Sequence, residues 1–429
     1  MTELETSIER LVARDQDMIA CPYPLFDELR EQPPAYSPAL DAFPVTRFED
    51  VRKILHDTDT WSSLMPTGPT RGDSSMTKAM TELMAEDGMA EVFAAVMSDR
   101  RTAAVLLNAD PPDHVRQRKA VNRAFRPGRI RAMEPLVKSV SDQLMAKFAD
   151  RGSVEFVAEY AVGLPLTIIA DALGVADGDL QQFKIWSDDL VMPVGNSDPS
   201  VDQVRGFLLS TRDFGNYMSE LIADRQANPQ DDVLSDVANA EVDGQELSEA
   251  EKISMLTQFL VAGNETTTKL LTNIARHLAT NPELQDRVRA DRSLVDGVVE
   301  EALRFEAPVG GLYRTAKVDT VVDGTTIKEG QHVWILYGAA NRDSDAFAEP
   351  DRFDPARENV RDHLSFGHGE HFCIGAGLAR MEGVVATNAI LDNLANLRLS
   401  TEHEEAFEDS FVLRGLRTLL LDFDVPSGA

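Results

Sequence analysis

The chain has 429 residues, of which 43% are hydrophobic and 27% charged, as is ordinary for a folded protein in water. A formal net charge of −30 argues against nucleic acid as a partner. The two cysteines, Cys21 and Cys373, lie far apart and indicate no disulfide framework, which suits a reducing compartment.

Neither a signal peptide nor a membrane anchor is expected. Residues 1–20 carry charges throughout, and no later stretch approaches the roughly 18 uninterrupted apolar residues of a spanning helix. Because repeats, low-complexity tracts and an evident linker are all missing, residues 1–429 are predicted to form one domain. We therefore expect a cytoplasmic monomer.

The next features along the chain are a short strand and a basic segment. A strand signal near Phe43 to Thr46 marks a β-rich region at about 35–50. The sequence RQRKAVNRAFRPGRIR, from Arg116 to Arg131, contains no acidic residue although the whole protein is acidic. Such a patch is a candidate docking surface, and a merely solvated basic helix is the alternative.

The clearest predicted helix runs from about Ser248 to Thr280. Ser248 and Glu251 form a capping-box pattern, apolar residues recur at helical spacing, and an Asn-Pro pair ends the helix. A helix of about 30 residues is far longer than average and is expected to cross the whole molecule. Gly263 in its middle costs roughly 1 kcal/mol relative to alanine, which either close packing or a function would explain.

After this helix the period of the pattern changes. A second helix is predicted from a capping Ser293 to the residue before Pro308. Within a β-rich region at about 313–340, residues 320–336 alternate polar and apolar side chains, with turns at Asp323-Gly324 and near Glu329-Gly330, which predicts a small antiparallel sheet. A last strand is predicted near residues 418–423. The predicted fold class is thus mostly α with a smaller β portion.

The most informative stretch is FGHGEHFCIGAGLAR, from Phe366 to Arg380. Its glycine-rich first part predicts a tight loop at 366–375, and its second part predicts a helix. Cys373 therefore lies just before a helix N-terminus, where the helix dipole favours a thiolate. A buried, unreactive cysteine and a zinc site with the two nearby histidines are the alternatives, although no CxxC motif is present.

The cysteine loop resembles the haem-binding signature of the cytochrome P-450 family, and the resemblance covers nearly the whole chain. It implies the family's fold, in which a long central helix lies over haem b, and it makes Cys373 the axial ligand of the iron. Glycines would let backbone N–H groups approach the sulfur, and Phe366 would pack beside it. The positions that carry the resemblance are Phe366, Gly367, Gly369, Cys373, Gly375 and Arg380.

The long helix extends the resemblance through AGNETT, which is similar to the family's oxygen-binding motif. By that resemblance Ala262 and Gly263 open a local distortion of the helix where dioxygen fits. Glu265 and Thr266 would then correspond to an acid–alcohol pair that supplies protons.

Two further groups match the family's supporting residues. Within EEALRFEAP, Glu301 and Arg304 resemble the ExxR motif, with Arg352 as the expected third partner in a structural rather than catalytic network. NADPPDHVRQR resembles the helix that binds the haem propionates, and each of its basic residues could instead be simply solvated. The residues expected to form the propionate cradle are His114, Arg118, Arg314 and His371.

The resemblance implies a monooxygenase that inserts one atom of O2 into a small or medium hydrophobic substrate, by hydroxylation or O-dealkylation. An apolar, adaptable pocket would draw partly on a methionine-rich stretch between Trp61 and Leu107. Electrons would come from NAD(P)H through separate partners, a ferredoxin or flavodoxin-type donor and its reductase. The basic residues expected to dock that donor are Arg116, Lys119, Arg123 and Arg126.

Other functions stay open at this point. A peroxide-using member of the same family is the nearest one, but such enzymes usually lack the acid–threonine pair present here at Glu265 and Thr266. A non-enzymatic haem protein, either a gas sensor or an electron carrier, is a second alternative. A sensor would usually carry a signalling domain, and a carrier would not need the acid and the threonine.

Overall fold

The computed structural model describes residues 3–69, 74–97, 103–196 and 198–425. Its fold class is mostly α with a smaller β portion, as predicted. Parts of the methionine-rich stretch, at 70–73 and 98–102, lie outside the described residues. The α-helices are α1 (Glu3–Val12), α2 (Gln16–Ala20), α3 (Tyr23–Arg30), α4 (Phe48–His56), α5 (Ser75–Leu83), α6 (Met89–Val96), α7 (Asp113–Val121), α8 (Pro127–Met145), α9 (Gly163–Ala172), α10 (Leu180–Val191), α11 (Val201–Ala227), α12 (Val233–Ala238), α13 (Glu249–Thr280), α14 (Pro282–Ala290), α15 (Val295–Phe305), α16 (Tyr337–Ala340) and α17 (Ala376–Asn393).

The strands form two small sheets and two hairpins. One sheet has the order β1-β9-β6-β2, in which only the β1–β9 pair is parallel, and the other has the order β10-β11-β3. The β7–β8 hairpin turns at Asp323-Gly324, both with positive φ, as the sequence predicted. The strands are β1 (Phe43–Val45), β2 (Trp61–Ser62), β3 (Ser153–Glu155), β4 (Glu241–Val242), β5 (Gln245–Glu246), β6 (Leu312–Ala316), β7 (Thr320–Val322), β8 (Thr325–Ile327), β9 (His332–Ile335), β10 (Ala395–Leu399) and β11 (Leu420–Asp424).

The long helix α13 joins the two largest hydrophobic clusters of the protein. Its first half contributes Leu256 and Leu260 to one cluster, and its second half contributes Leu271 and Ile274 to the other. Between these halves Ala262 is exposed, although the helix passes through the interior. The middle of α13 therefore borders open space at the junction of the two clusters.

Helix boundaries follow the local signals, with one correction. The capping box at the start of α13 is confirmed, since Ser248 and Glu251 exchange hydrogen bonds of 2.8 and 3.2 Å. The predicted cap at Ser293 is wrong, because the Asp291 carboxylate accepts the N–H of Ser293 and starts a 3-10 turn that leads into α15. Among the helices described, none is long and apolar enough to cross a membrane.

Candidate active site

The cysteine loop is a tight turn that ends at the N-terminus of α17. The N–H of Cys373 donates to the carbonyl of Phe366 at 2.9 Å, which closes the loop. Gly369 has φ +70°, and a Cβ there would lie 2.7 Å from the carbonyl oxygen of Leu55, so only glycine fits. Gly367 also has a positive φ, of +69°. Gly375 is the N-cap of α17, and a Cβ added to it would lie 4.0 Å from the Cys373 sulfur.

Opposing influences act on the Cys373 thiol. Burial raises its pKa, whereas the backbone N–H groups of Gly375 and Ala376 and the charges of Arg118 and Arg380 act to lower it. Donors and cations directed at a sulfur are the surroundings that stabilise a thiolate or a metal-bound sulfur. The loop can therefore present Cys373 as an anionic ligand once a cation compensates for burial.

A charged cluster that the sequence analysis missed supports the first half of the loop. The guanidinium carbon of Arg380 lies 4.6 Å from the centre of the Phe366 ring, and its Nε donates to Glu300 at 2.7 Å. The buried imidazole of His363 also contacts Glu300, at 3.0 Å. Burial alone would raise the pKa of Glu300, but these hydrogen bonds and charges lower it to about 2. The doubled glutamate at 300–301 was the available signal.

The four residues predicted to form the propionate cradle are brought together, and we call them the cationic cradle. The ring centres of His114 and His371 lie 4.0 Å apart, and the buried Nδ1 of His114 and Nε2 of His371 have no hydrogen-bond partner among the described residues. Arg118 donates to the carbonyl of Phe372, next to Cys373, at 2.7 Å. Arg314, only 3% exposed, donates to the carbonyl of Tyr313 at 2.8 Å.

No acidic side chain of the described residues forms an ion pair with Arg118 or Arg314. The charge of Asp110 acts on Arg314 and His114 from beyond ion-pairing distance, and Asp110 itself pairs with Lys317, so the cationic cradle keeps an excess of positive charge. Burial and the neighbouring charges of His114, Arg314 and Arg118 lower the pKa of His371 to about 3, and burial also lowers the pKa of Arg314. A buried charge without a partner is costly, and an anionic ligand would relieve that cost. The residues present therefore fit the two carboxylates of the haem that the sequence resemblance implies.

The predicted acid–alcohol pair lies in the middle of α13, which stays α-helical throughout. The hydroxyl of Thr266 donates to the carbonyl of Ala262 at 2.5 Å. The predicted local distortion at Ala262 and Gly263 is not seen, because the α-helix is continuous through these residues. Close packing does not explain Gly263 either, since a Cβ there would make only ordinary contacts with Ile169, at 3.5 Å. The carboxylate of Glu265 accepts a hydrogen bond from Lys269, a contact that the sequence analysis did not anticipate.

The buried ion network around the ExxR motif requires one correction. Arg304, whose side chain is 0% exposed, makes two hydrogen bonds with Glu301, at 2.7 and 2.8 Å. The third partner is Arg357, whose Nε lies 3.3 Å from Glu301, and not Arg352. The side chain of Arg352 is 60% exposed and pairs with Glu349 at the surface, and only its carbonyl accepts from Arg304. We call Glu301, Arg304 and Arg357 the buried ion network.

The basic segment is also only partly available to a partner. Arg116 is not a free surface cation, because the carboxylate of Glu251 on α13 holds it and its side chain is 23% exposed. Arg123 remains 72% exposed although it lies 3.4 Å from Asp236. Lys119 and Arg126 are exposed. Three of the four predicted docking residues thus lie on an accessible surface.

No three histidine, cysteine, aspartate or glutamate side chains converge on a possible metal site within the part of the chain that the structure describes. The zinc alternative therefore has no structural support. The single cysteine beside an unbalanced cationic cradle instead matches a ligand that brings its own metal and its own carboxylates.

Comparisons with known proteins agree with this geometry. The family model described as Cytochrome P450 matches residues 203–420. Cytochrome P450 107B1 of Saccharopolyspora erythraea is 36% identical over 385 residues, which cover 89% of each chain. Vitamin D(3) 25-hydroxylase of Pseudonocardia autotrophica is 33% identical over 403 residues, covering 92% of each. The structure of Cytochrome P450 CYP109Q5 from Chondromyces apiculatus matches with a TM-score of 0.82 and 32% identity, over 97% of this chain and 98% of that one. The chain therefore belongs to the cytochrome P450 family, and it is a monooxygenase, an oxidoreductase that incorporates molecular oxygen.

Proposed function

We propose that this enzyme binds haem b through Cys373 and inserts one oxygen atom into a small or medium hydrophobic substrate, by hydroxylation or O-dealkylation. The observation that carries the proposal is the unbalanced cationic cradle next to the cysteine, where Arg118 contacts the residue before Cys373. When bound, a haem with a thiolate ligand supplies O2 activation. His114, Arg118, Arg314 and His371 hold its propionates, and Phe366, Gly367 and Gly375 shape the loop around the sulfur.

We assign the supply of protons to Glu265 and Thr266, in the middle of α13. The Thr266 hydroxyl can both donate and accept, and the Glu265 carboxylate lies one residue away on the same turn of α13. Ala262, exposed within the interior, and Gly263 keep this stretch of the helix free of large side chains. The buried ion network of Glu301, Arg304 and Arg357 supports the fold around the loop and takes no part in chemistry.

The electron supply is assigned to separate proteins, NAD(P)H-driven and of the ferredoxin or flavodoxin type. The exposed cations Lys119, Arg123 and Arg126 supply a docking surface for an acidic donor. Residues 1–429 act as one domain, and the proposed state is a cytoplasmic monomer.

Substrate binding supplies the test of this proposal. Candidate hydrophobic compounds are titrated into the purified ferric enzyme, and the haem spectrum is followed for a low- to high-spin shift. Compounds that give the shift are then incubated with a surrogate ferredoxin, its reductase and NADPH. We expect a product that carries one oxygen atom from ¹⁸O2. A haem-containing enzyme that gives no product with any shifting compound contradicts the proposed activity and favours an electron carrier or a sensor.

A further inference from the structure

Lys269 is a buried cation that the assignments above leave unexplained. Its side chain is 2% exposed, and lysine is rarely buried unless an acid balances its charge. The acid is Glu265, one helical turn earlier on α13, with a side chain that is 18% exposed. Among the described residues, Lys269 is the only cation within ion-pairing distance of Glu265.

A second acid reaches Lys269 from a different part of the chain. Glu408 lies 3.5 Å from the lysine nitrogen and is 35% exposed. It belongs to the turn between Phe407 and Leu416, which form an isolated bridge. One lysine therefore joins the carboxylate of Glu265 to a carboxylate that is open to solvent.

The turn between Phe407 and Leu416 packs tightly against the aliphatic part of the Lys269 side chain. A Cβ on Gly415 would lie 2.5 Å from Cγ of Lys269 and 3.0 Å from its Cβ and Cδ, so a larger residue at 415 would displace the lysine. The N–H of Glu408 donates to the carbonyl of Gly415 at 3.0 Å, which places the glutamate over the same stem. The turn thus packs closely against the stem of Lys269, and Glu408 lies near the lysine nitrogen.

Other charges near Glu265 do not fix its position. Asp188 on α10 is the neighbouring acid; burial raises its pKa, and the charge of Glu265 adds to this effect. Lys184 neutralises Asp188 and makes no ion pair with Glu265. Lys269 is therefore the ion-pair partner through which the Glu265 carboxylate is held.

We propose that Lys269 is a positioning residue that holds the Glu265 carboxylate beside Thr266 and links it to the solvent-exposed Glu408. This inference rests on the proposed function, since it assigns the residue through which the proton-supplying acid is oriented. In this proposal Lys269 acts through Glu265 and is not itself a catalytic residue.

The test compares Lys269→Met, Glu265→Gln and the double variant, in haem-loaded enzyme with one shifting substrate. The measured quantities are product formed per NADPH oxidised and the solvent isotope effect on product formation. Each single variant should lower coupled product formation by roughly 10-fold, and the double variant should be no worse than Glu265→Gln, because both changes remove one function. Lys252→Met, which removes another buried lysine of α13, should stay within twofold of the wild type.

A readout independent of turnover is the thermal midpoint, followed by circular dichroism. If Lys269 and Glu265 interact, the two single changes should shift the midpoint by amounts that do not add in the double variant. Lys269→Gln serves as the second variant if the methionine variant does not fold.

The two ways of failing are distinguishable. If Glu265→Gln is uncoupled while Lys269→Met and Lys269→Gln behave as the wild type, the positioning role is overturned and the proposed function stands. If Glu265→Gln is itself fully coupled, the proton-supplying role of Glu265 is wrong, and the positioning role falls with it.

Discussion

Two groups of buried cations in this protein differ in how their charge is balanced. In the buried ion network, Arg304 is fully buried and every nitrogen of its guanidinium donates to Glu301 or to backbone carbonyls. In the cationic cradle, Arg314 is 3% exposed and donates to a backbone carbonyl but forms no ion pair among the described residues, where each of the two histidines also keeps one unpartnered ring nitrogen.

The difference separates a structural role from a ligand-binding role. In a balanced group the mutual attraction of the charges offsets the cost of burying them, whereas an unbalanced group leaves that cost uncompensated until an anion binds. Arg304 and Arg314 are both buried, so it is their ion-pair partners, and not their burial, that distinguish a structural arginine from a ligand-binding one.

The largest expected effect is on the balanced side. Arg304→Leu leaves the buried carboxylate of Glu301 with Arg357 as its only ion-pair partner, so the free energy of unfolding should fall by about 3–5 kcal/mol. Urea unfolding followed by circular dichroism measures this. Arg352→Leu is the matched control and should cost less than about 1 kcal/mol, since that side chain is exposed. Equal losses in the two variants would restore Arg352 to the network.

On the unbalanced side, Arg314→Leu should weaken haem retention without weakening the fold. Losing a charge-assisted hydrogen bond to a propionate costs about 1.5–3 kcal/mol, or roughly 10- to 150-fold in affinity. The rate at which haem is lost to excess apomyoglobin is the measurement. Unfolding of the haem-free protein should be unchanged or need more urea, because an unpaired buried cation is removed. Unchanged haem loss would remove Arg314 from the cradle.

An unbalanced acid extends the contrast to the opposite charge. Burial raises the pKa of Glu382 on α17 to about 8, and its Oε2 has no hydrogen-bond partner in the part of the chain that the structure describes. Since its pKa in the unfolded chain is about 4.3, the stability it allows is complete at low pH and declines as pH rises toward 8, by about 1.4 kcal/mol per pH unit. Glu382→Gln should abolish this decline, and the exposed Glu283→Gln should not. Parallel stability–pH curves for wild type and Glu382→Gln would contradict the assignment.

The smallest expected effect concerns the surface. Arg126→Glu should raise the KM for a ferredoxin by about three- to fivefold at low salt, with little change at high salt, because an exposed charge contributes less than about 1 kcal/mol. Arg116→Glu should instead lower thermal stability, since it places two acids together at Glu251. A KM that is insensitive to Arg126 would move the docking surface elsewhere.

Local signals predicted the elements well and the long-range partners poorly. Three elements depend on residues only a few positions apart, so a local sequence pattern is enough to predict them: the start of α13, the loop before α17 and the β7–β8 turn. Whether Arg352 or Arg357 turns inward depends on how one loop packs against α15. The pairing of Arg116 with Glu251 joins residues from α7 and α13, and Lys269 meets Glu408 from the C-terminal turn, which no local pattern could predict.

The central claim is that Cys373 binds haem iron as a thiolate beside the cationic cradle. The most direct measurement is the absorption spectrum of the reduced, carbon monoxide-bound enzyme, recorded for wild type, Cys373→Ser and Cys21→Ser. We expect the red-shifted, thiolate-type Soret band in wild type and in Cys21→Ser, whose cysteine is exposed, and its loss in Cys373→Ser. A wild-type protein without haem, or a thiolate-type band that survives Cys373→Ser, would contradict it.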